Sequence, residues 1–385
     1  MTQYRIPFNK PGLVGRESSY MAECIDRGHA AGDGYFTRQC HTLLEEALGV
    51  PKALLTTSGT HALELAALLA GVGPGDEVIL PTFTFVSTAN AFVLRGAKPV
   101  FADIRPDTLN LDEQQIERLL SPRTRVIAPV HYAGVGCDMD FISKLAVDIG
   151  ITVIEDNAHG LFARHNGRFL GTFGGLAALS FHETKNFHCG EAGALLINDP
   201  ALIERAEILR EKGTNRAAFF RGQTDKYTWV DIGSSYLPSD LLAAFLYAQL
   251  EARETVIAKR KRVWTFYMES LKGWAASHGV RLPRVPPTCL QSFHMFYLIL
   301  PSLDIRDAMI AHLKARGILS VFHYVPLHLS RMGQQFGGRQ GACPVAEDLS
   351  LRLLRLPFYN DLTEQEQSEV VQAIEKFQGW AKCAP

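Results

Sequence analysis

The chain has 385 residues, 47% of them hydrophobic and 21% charged, which suits an ordinary globular protein with one large domain and a smaller one. A formal net charge of -1 argues against nucleic acid as the main partner, and no apolar stretch is long enough to span a bilayer. Seven dispersed cysteines (Cys24, Cys40, Cys137, Cys189, Cys289, Cys343, Cys383) without a C-x-x-C pair point to reduced thiols in the cytoplasm, not a disulfide frame or a zinc site.

The start, Met1-Thr2-Gln3-Tyr4-Arg5, is polar and no apolar segment follows it, so no secretion signal is expected. From about residue 50, short β-rich runs alternate with longer helical ones. Strands are predicted over 53–56, 77–80, 99–102, 125–130, 152–155 and 176–179, with helices over 62–69, 86–95 and 138–150 between them. The strands are continuous apolar runs, as expected when helices cover both faces of a mostly parallel sheet, so the fold class is α/β. Past about residue 240 a long amphipathic helix over 240–272 leads to the Pro-rich stretch 282–287. Mixed α+β sequence follows, with a strand-like run at 295–300 and a closing helix from Thr363. The expected division is a large domain with an N-terminal arm over 1–250 and a smaller domain over 251–385. The basic run Lys259-Arg260-Lys261-Arg262 reads as the solvated face of the long helix, because Val256, Ile257, Val263 and Trp264 flank it at helical spacing.

Four junctions after strands carry the chemistry. Thr57-Ser58-Gly59-Thr60-His61 lies between the first strand and an Ala/Leu-rich helix. Free N–H groups, the helix dipole and the hydroxyls make an anion site there, and Gly59 lets the backbone approach closely; the same residues would equally serve as a plain N-cap. The segment matches neither G-x-x-x-x-G-K-S/T nor G-x-G-x-x-G, which counts against nucleoside triphosphates and nicotinamide cofactors. Phe85 follows the second strand, where an aromatic ring either stacks on a planar cofactor or belongs to the core. Asp156 closes the fifth strand and can hold a pyridine nitrogen protonated, or cap a turn. His159, one short turn on, is within reach of that ring's phenolic oxygen or the substrate, or is structural. Lys185, in Ser180-Phe181-His182-Glu183-Thr184-Lys185-Asn186, can form a Schiff base with an aldehyde, or be a surface lysine. Nearby Cys189 is either a reactive thiol or a small buried filler. A strand-end lysine and a strand-end aspartate on one sheet are what pyridoxal phosphate requires, and ligands of open α/β sheets sit at the carboxyl ends of the strands.

Together, Ser58-Gly59-Thr60, Pro81-Thr82-Phe83-Thr84-Phe85, Glu155-Asp156, Ser180 to Lys185, Glu191-Ala192-Gly193 and Tyr324-Val325-Pro326-Leu327-His328 resemble the DegT/DnrJ/EryC1/StrS sugar aminotransferases along nearly the whole chain. Gly32-Asp33-Gly34, Glu211-Lys212-Gly213-Thr214-Asn215-Arg216 and Asp225-Lys226-Tyr227-Thr228-Trp229 are similar, more narrowly, to the enterobacterial-common-antigen branch, which makes dTDP-4-amino-4,6-dideoxygalactose. The resemblance implies the fold type I, aspartate-aminotransferase-like architecture and pyridoxal 5'-phosphate as cofactor. It implies Lys185 as Schiff-base and acid/base residue, Asp156 on the pyridine nitrogen, Phe85 stacked on the ring and His159 by the phenolic oxygen. Ser58, Gly59, Thr60 and Ser180 would hold the phosphate. The implied substrates are L-glutamate and a dTDP-4-keto-6-deoxyhexose, with a homodimer as the minimum unit. Lys212, Arg216, Arg221 and Lys226 are candidates for the pyrophosphate, or form a solvated loop; Tyr324 and His328 are candidate substrate contacts. Two departures stand out: His159 where many members have Gln, and Ser235 where many supply a phosphate-binding Asn from the partner subunit. A 3-aminotransferase and a 4-amino-gluco-forming enzyme remain alternatives. A sugar dehydratase would carry His in place of Lys185, and a cofactor-binding regulator would need a module for which no segment is left.

Overall fold

The computed structural model describes residues 4–380, so Met1-Thr2-Gln3 and Cys383 lie outside the described residues. Its strands, in chain order, are β1 (Lys52–Thr56), β2 (Glu77–Pro81), β3 (Lys98–Ala102), β4 (Thr124–Ile127), β5 (Thr152–Asp156), β6 (Arg164–His165), β7 (Arg168–Phe169), β8 (Leu176–Ser180), β9 (Gly193–Ile197), β10 (Cys289–Leu290), β11 (Tyr297–Ile299) and β12 (Leu353–Arg355). Seven form one sheet in the order β1-β9-β8-β5-β4-β2-β3. β3, β2, β4, β5 and β8 pair in parallel, while β9 runs antiparallel to β8 and to β1. β1 therefore points the same way as the parallel set, and the carboxyl ends of β1, β2, β5 and β8 share one edge.

Burial on both faces explains why the strands lack polar alternation. Val78, Leu80, Val126 and Ile154 enter one apolar cluster, while their neighbours Ile79, Ile127 and Val153 enter another across the sheet. Each fully buried aliphatic side chain contributes roughly 1.5–3 kcal/mol. The helices α1 (Glu17–Asp26) and α2 (Tyr35–Leu48) precede β1; the first cluster packs on the helices α3 (Gly59–Leu69) and α4 (Val86–Val93), the second on the helix Met139–Ile149. Local signals set the helix ends. The Ser58 hydroxyl caps α3 by accepting from His61 N at 3.1 Å, and Gly150, at φ 69°, stops the helix Met139–Ile149. The closing helix Glu364–Glu375 starts on a Thr363/Glu366 capping box.

Three features differ from the sequence expectation. β9 returns directly beside β8 without a crossover helix, so the lysine-bearing connection joins strand to strand. The helix predicted over 240–272 is two helices, Asp240–Glu251 and Arg253–Ser277, because the chain turns at Ala252 (φ -86°, ψ 17°). The basic run is not wholly solvated either. Arg260 is buried, donating to Phe293 O at 2.9 Å, His294 O at 2.5 Å and Asn360 Oδ1 at 2.9 Å.

The helix Arg253–Ser277 opens a separate core around Tyr267, Phe296, Leu298, Met309 and Ile374, to which Ile6 of the N-terminal segment also contributes. Another cluster joins Phe83 and Tyr132, from the sheet half, to Met295, Tyr297 and Leu353. No helix among the described residues is long and apolar enough to cross a membrane.

Candidate active site

A cavity of about 450 Å³ opens at the shared carboxyl edge of β1, β5 and β8. At its α3 end, the N–H groups of Gly59 and Thr60 have no hydrogen-bond partner among the described residues. The surrounding backbone is pressed tight. A Cβ on Gly59 would fall 2.8 Å from Ser180 Cβ, and one on Gly193 would fall 2.4 Å from the Ser58 carbonyl carbon. Thr60 Oγ1 and Ser87 Oγ lie 2.7 Å apart, tying α3 to α4. Free N–H donors, hydroxyls and the positive end of an 11-residue helix make this corner a cradle for a phosphate.

Lys185 stands on the β8–β9 connection. Phe181 N donates to Ala192 O at 2.8 Å, Glu183 N to Gly190 O at 2.9 Å and Lys185 N to His182 O at 2.9 Å, so the loop is held close to the strand ends. Burial drives the Lys185 pKa from 10.5 to about 8, with the Asp156 carboxylate opposing the fall and the Arg355 guanidinium adding to it. Roughly a tenth of the amine is then uncharged at pH 7, against about one part in three thousand for an unperturbed lysine.

β5 sends adjacent carboxylates to opposite faces. Glu155 is fully buried and accepts from Gly171 N at 2.7 Å, Phe173 N at 2.7 Å and Gly174 N at 2.8 Å, with His131 Nε2 2.9 Å away. It fastens the loop that leads into β8. Asp156 faces the cavity, its carboxylate oriented by Thr88 Oγ1 at 2.7 Å and Ala158 N at 3.2 Å. Thr88 is positioned in turn by the Thr84 hydroxyl at 2.9 Å.

Imidazoles line the opposite wall. The His159 and His294 rings stack with centroids 4.1 Å apart, and His159 Nδ1 is buried without a partner. Burial, and then Lys185 and Arg355, hold His159 well below the ordinary histidine range, so the ring is neutral. Asn186 Oδ1 lies 2.8 Å from His294 Nδ1, and the Tyr132 hydroxyl 2.7 Å from His323 Nδ1. The carbonyls of Phe293 and His294 are the ones that buried Arg260 holds, so a member of the supposedly solvated basic run supports this wall.

Among the predicted site residues, Ser58, Gly59, Thr60, Phe85, Asp156, His159, Ser180, Lys185 and Tyr324 all line the cavity. Phe85 precedes α4 and is 55% exposed, so its ring is free to cover a ligand. The other predicted residues lie elsewhere. His328 is fully buried, with Nδ1 2.6 Å from Thr82 Oγ1 and Nε2 2.9 Å from Glu347 Oε1, which leaves no ring nitrogen for a substrate. Lys212 and Arg216 both pair with Glu211, at 2.9 and 3.2 Å, and Arg221 pairs with Glu207 at 2.8 Å. Lys226 and Ser235 are exposed and do not line the cavity. Gly32-Asp33-Gly34 has a packing role: Asp33 pairs with Arg210 at 2.8 Å, and a Cβ on Gly34 would fall 2.3 Å from Asp240 Cγ. Cys189 is a buried filler whose thiol burial pushes up to about 12. Sequence reading missed Phe8, His294, His323 and Arg355. Only Arg355 carried a local signal, a lone charge inside the apolar run Leu353-Leu354-Arg355-Leu356.

The arrangement fits pyridoxal phosphate: an anion cradle at one corner, an amine of lowered pKa, an oriented carboxylate and an unpartnered buried imidazole nitrogen face one another. Known proteins agree. GDP-perosamine synthase of Caulobacter vibrioides is 34% identical over 97% of this chain and 98% of its own length. The spore coat polysaccharide biosynthesis protein SpsC of Bacillus subtilis is 32% identical over 96% of each. The PLP form of the putative sugar aminotransferase Spr1654 from Streptococcus pneumoniae superposes with a TM-score of 0.88 at 26% identity, covering 96% of this chain and 97% of that one. The architecture is that of the fold type I aminotransferases, and pyridoxal phosphate is the cofactor. The DegT/DnrJ/EryC1/StrS aminotransferase family model matches residues 13–375, and the chain belongs to that family.

Proposed function

We propose that the protein transfers an amino group from L-glutamate to C4 of dTDP-4-dehydro-6-deoxy-D-glucose, giving 2-oxoglutarate and dTDP-4-amino-4,6-dideoxy-D-galactose for a cell-surface polysaccharide. The observation that carries the transaminase reading is the Lys185 amine, its pKa lowered by desolvation, in one cavity with Asp156 and a phosphate cradle. When bound, pyridoxal phosphate supplies the carbonyl that receives the amine and the electron sink that lets a proton leave the neighbouring carbon. The residues divide the remaining work. Gly59 and Thr60 N–H groups, with the Thr60 and Ser180 hydroxyls, bind the phosphate and fix the ring's position. Asp156 holds the proton on the pyridine nitrogen, and the neutral His159 orients the phenolic oxygen. Phe85 covers one face of the ring and excludes water. Lys185 Nζ, of lowered pKa, takes the proton from the donor's α-carbon and returns one to C4 of the sugar. Two half-reactions through one site give ping-pong kinetics.

The dTDP-sugar reading rests on the likeness of Glu211–Arg216 and Asp225–Trp229 to the common-antigen branch, now without Gly32-Asp33-Gly34, whose packing explains it. The same segment exposes Phe220, Tyr227 and Trp229, the last 77% exposed, beside the four predicted cations. In a homodimer this face would meet a second copy, which supports Lys212, Arg216, Arg221, Lys226 and Ser235 serving the partner's site and not their own. The six described cysteines are all free, which supports a cytoplasmic setting. The likeness to GDP-perosamine synthase favours a second reading, a GDP-linked keto sugar. Incubation with L-glutamate and either the dTDP- or the GDP-linked 4-keto-6-deoxyhexose, followed by NMR of the product, decides among these. The expected product carries the amine at C4 in galacto configuration on dTDP. Amination at C3, a gluco product, preference for GDP, or no amine transfer refutes the corresponding part of the reading.

A further inference from the structure

Asn186 follows Lys185 on the β8–β9 connection, and both ends of its buried amide are engaged. Nδ2 donates to Ser292 O at 2.8 Å, so Oδ1 is the atom that lies 2.8 Å from His294 Nδ1. An amide oxygen can only accept, which places the proton of the His294 ring on Nδ1 and leaves a lone pair on Nε2. Burial, and then His159, Lys185, Arg260 and Arg355, hold His294 well below the ordinary histidine range, so the ring keeps this neutral form. Nε2 bonds to no described residue and, unlike His159 Nδ1, is not sealed in protein, so its lone pair opens into the cavity that the ring lines. The ring is also fixed in place. It stacks on His159, and Arg260 holds the carbonyls of Phe293 and His294. Ser292 N donates to Gly134 O at 3.1 Å, and Ser292 Oγ donates to His159 O at 2.5 Å.

A fixed acceptor in a largely desolvated place is costly unless a ligand donates to it. Position and chemistry together identify the donor. Asn186 ties His294 to the residue after Lys185, and His159 lies against its ring, so Nε2 belongs to the reacting end of the cavity and not to the phosphate corner. L-Glutamate brings one donor to its α-carbon, the amine that it gives up. A 4-keto-6-deoxyhexose brings one lasting donor beside its carbonyl, the C3 hydroxyl, because C5 carries only hydrogen, the ring oxygen and the methyl group. Lys185 and Arg355, which line the same cavity, are donors themselves when charged, so a hydroxyl taken out of water beside them still needs an acceptor.

We infer that His294 Nε2 accepts a hydrogen bond from the hydroxyl next to the sugar's reacting carbonyl, with Asn186 as the positioning residue that fixes the tautomer. The assignment rests on the sugar aminotransferase reading above. It is tested on the cofactor-loaded protein with pairs of dTDP-sugars that differ only in the C3 hydroxyl. One arm measures kcat/KM for dTDP-4-dehydro-6-deoxy-D-glucose and its 3-deoxy counterpart, and the other measures calorimetric binding of the two 4-amino products. The wild-type protein is expected to favour the hydroxylated member by about tenfold to a hundredfold in both arms. His294→Phe, which can still stack on His159 but offers no acceptor, is expected to bring both ratios to within about twofold of unity. Asn186→Leu, which keeps the imidazole and frees its tautomer, is expected to fall between; a residue that only supported the wall would weaken both members alike. A wild-type ratio near one, which requires no variant to fold, overturns the assignment, and so does a ratio that His294→Phe leaves unchanged. If the protein aminates the GDP-linked hexose and not the dTDP-linked one, the proposed nucleotide fails, and the same ratio on the GDP-linked pair upholds or overturns the role of His294.

Discussion

At the carboxyl ends of β1, β5 and β8, polar groups converge on one cavity, and several have no partner among the described residues: the Gly59 and Thr60 N–H groups, His159 Nδ1 and the Arg355 guanidinium. Across 211–233 Lys212, Arg216 and Arg221 are already paired with Glu211 and Glu207, and the aromatics Phe220, Tyr227 and Trp229 stand exposed. The first region is organised to receive a ligand within one chain. The second has three of its four predicted cations paired and leaves apolar surface exposed, as expected of a segment that meets another protein surface. Unmet hydrogen-bonding capacity in a buried place is thus the better guide to a small-molecule site than the density of charge.

That contrast can be broken or sharpened by substitution. Lys185→Ala should lower turnover by about 10⁴-fold or more, because the variant loses the proposed acid/base group and the proposed point of cofactor attachment; steady-state kinetics measure this. Asp156→Asn should cost about 10²–10³-fold in turnover with little change in melting temperature. Its neighbour Glu155→Gln should do the reverse, lowering stability by about 3 kcal/mol in denaturant unfolding because a buried acceptor of three N–H groups is disrupted. If the two variants behave alike, the division of β5 into a catalytic and a structural face is wrong. Gly193→Ala forces a Cβ against the Ser58 backbone and should destabilise the fold by about 1–3 kcal/mol while weakening cofactor retention, read by thermal melts and by dialysis. The smallest effect is expected in the second region. Lys212→Ala with Arg216→Ala should leave the glutamate half-reaction unchanged and raise only the KM for the nucleotide sugar. A loss in the glutamate half-reaction would place this segment in the wrong region.

Much of the fold was legible because it rests on local chemistry. Val78 to Leu80 and Val153 to Ile154 announce strands buried on both faces, and Ser58 and Thr363 announce helix starts. The cavity lining was legible where a residue closes or follows a strand, as Asp156, Lys185 and Phe85 do. What was not legible depends on which way a side chain turns. Nothing adjacent to Glu155-Asp156 says which carboxylate meets the cavity and which meets the 171–174 backbone. His328 shares a motif with Tyr324, yet it faces Thr82 and Glu347 in the interior. Arg260 was misread although Val256, Arg260, Val263 and Tyr267 share one helical face, and all four are buried. A charge at a core-facing position was the signal, as it was for Arg355 within its apolar strand.

Reduction of the cofactor-loaded protein with borohydride, followed by peptide mass spectrometry, tests most directly whether Lys185 holds the cofactor. The account predicts a single pyridoxyl-modified lysine, Lys185, and no modification in Lys185→Ala. A label on another lysine, or a loaded protein in which no lysine is modified, would contradict it.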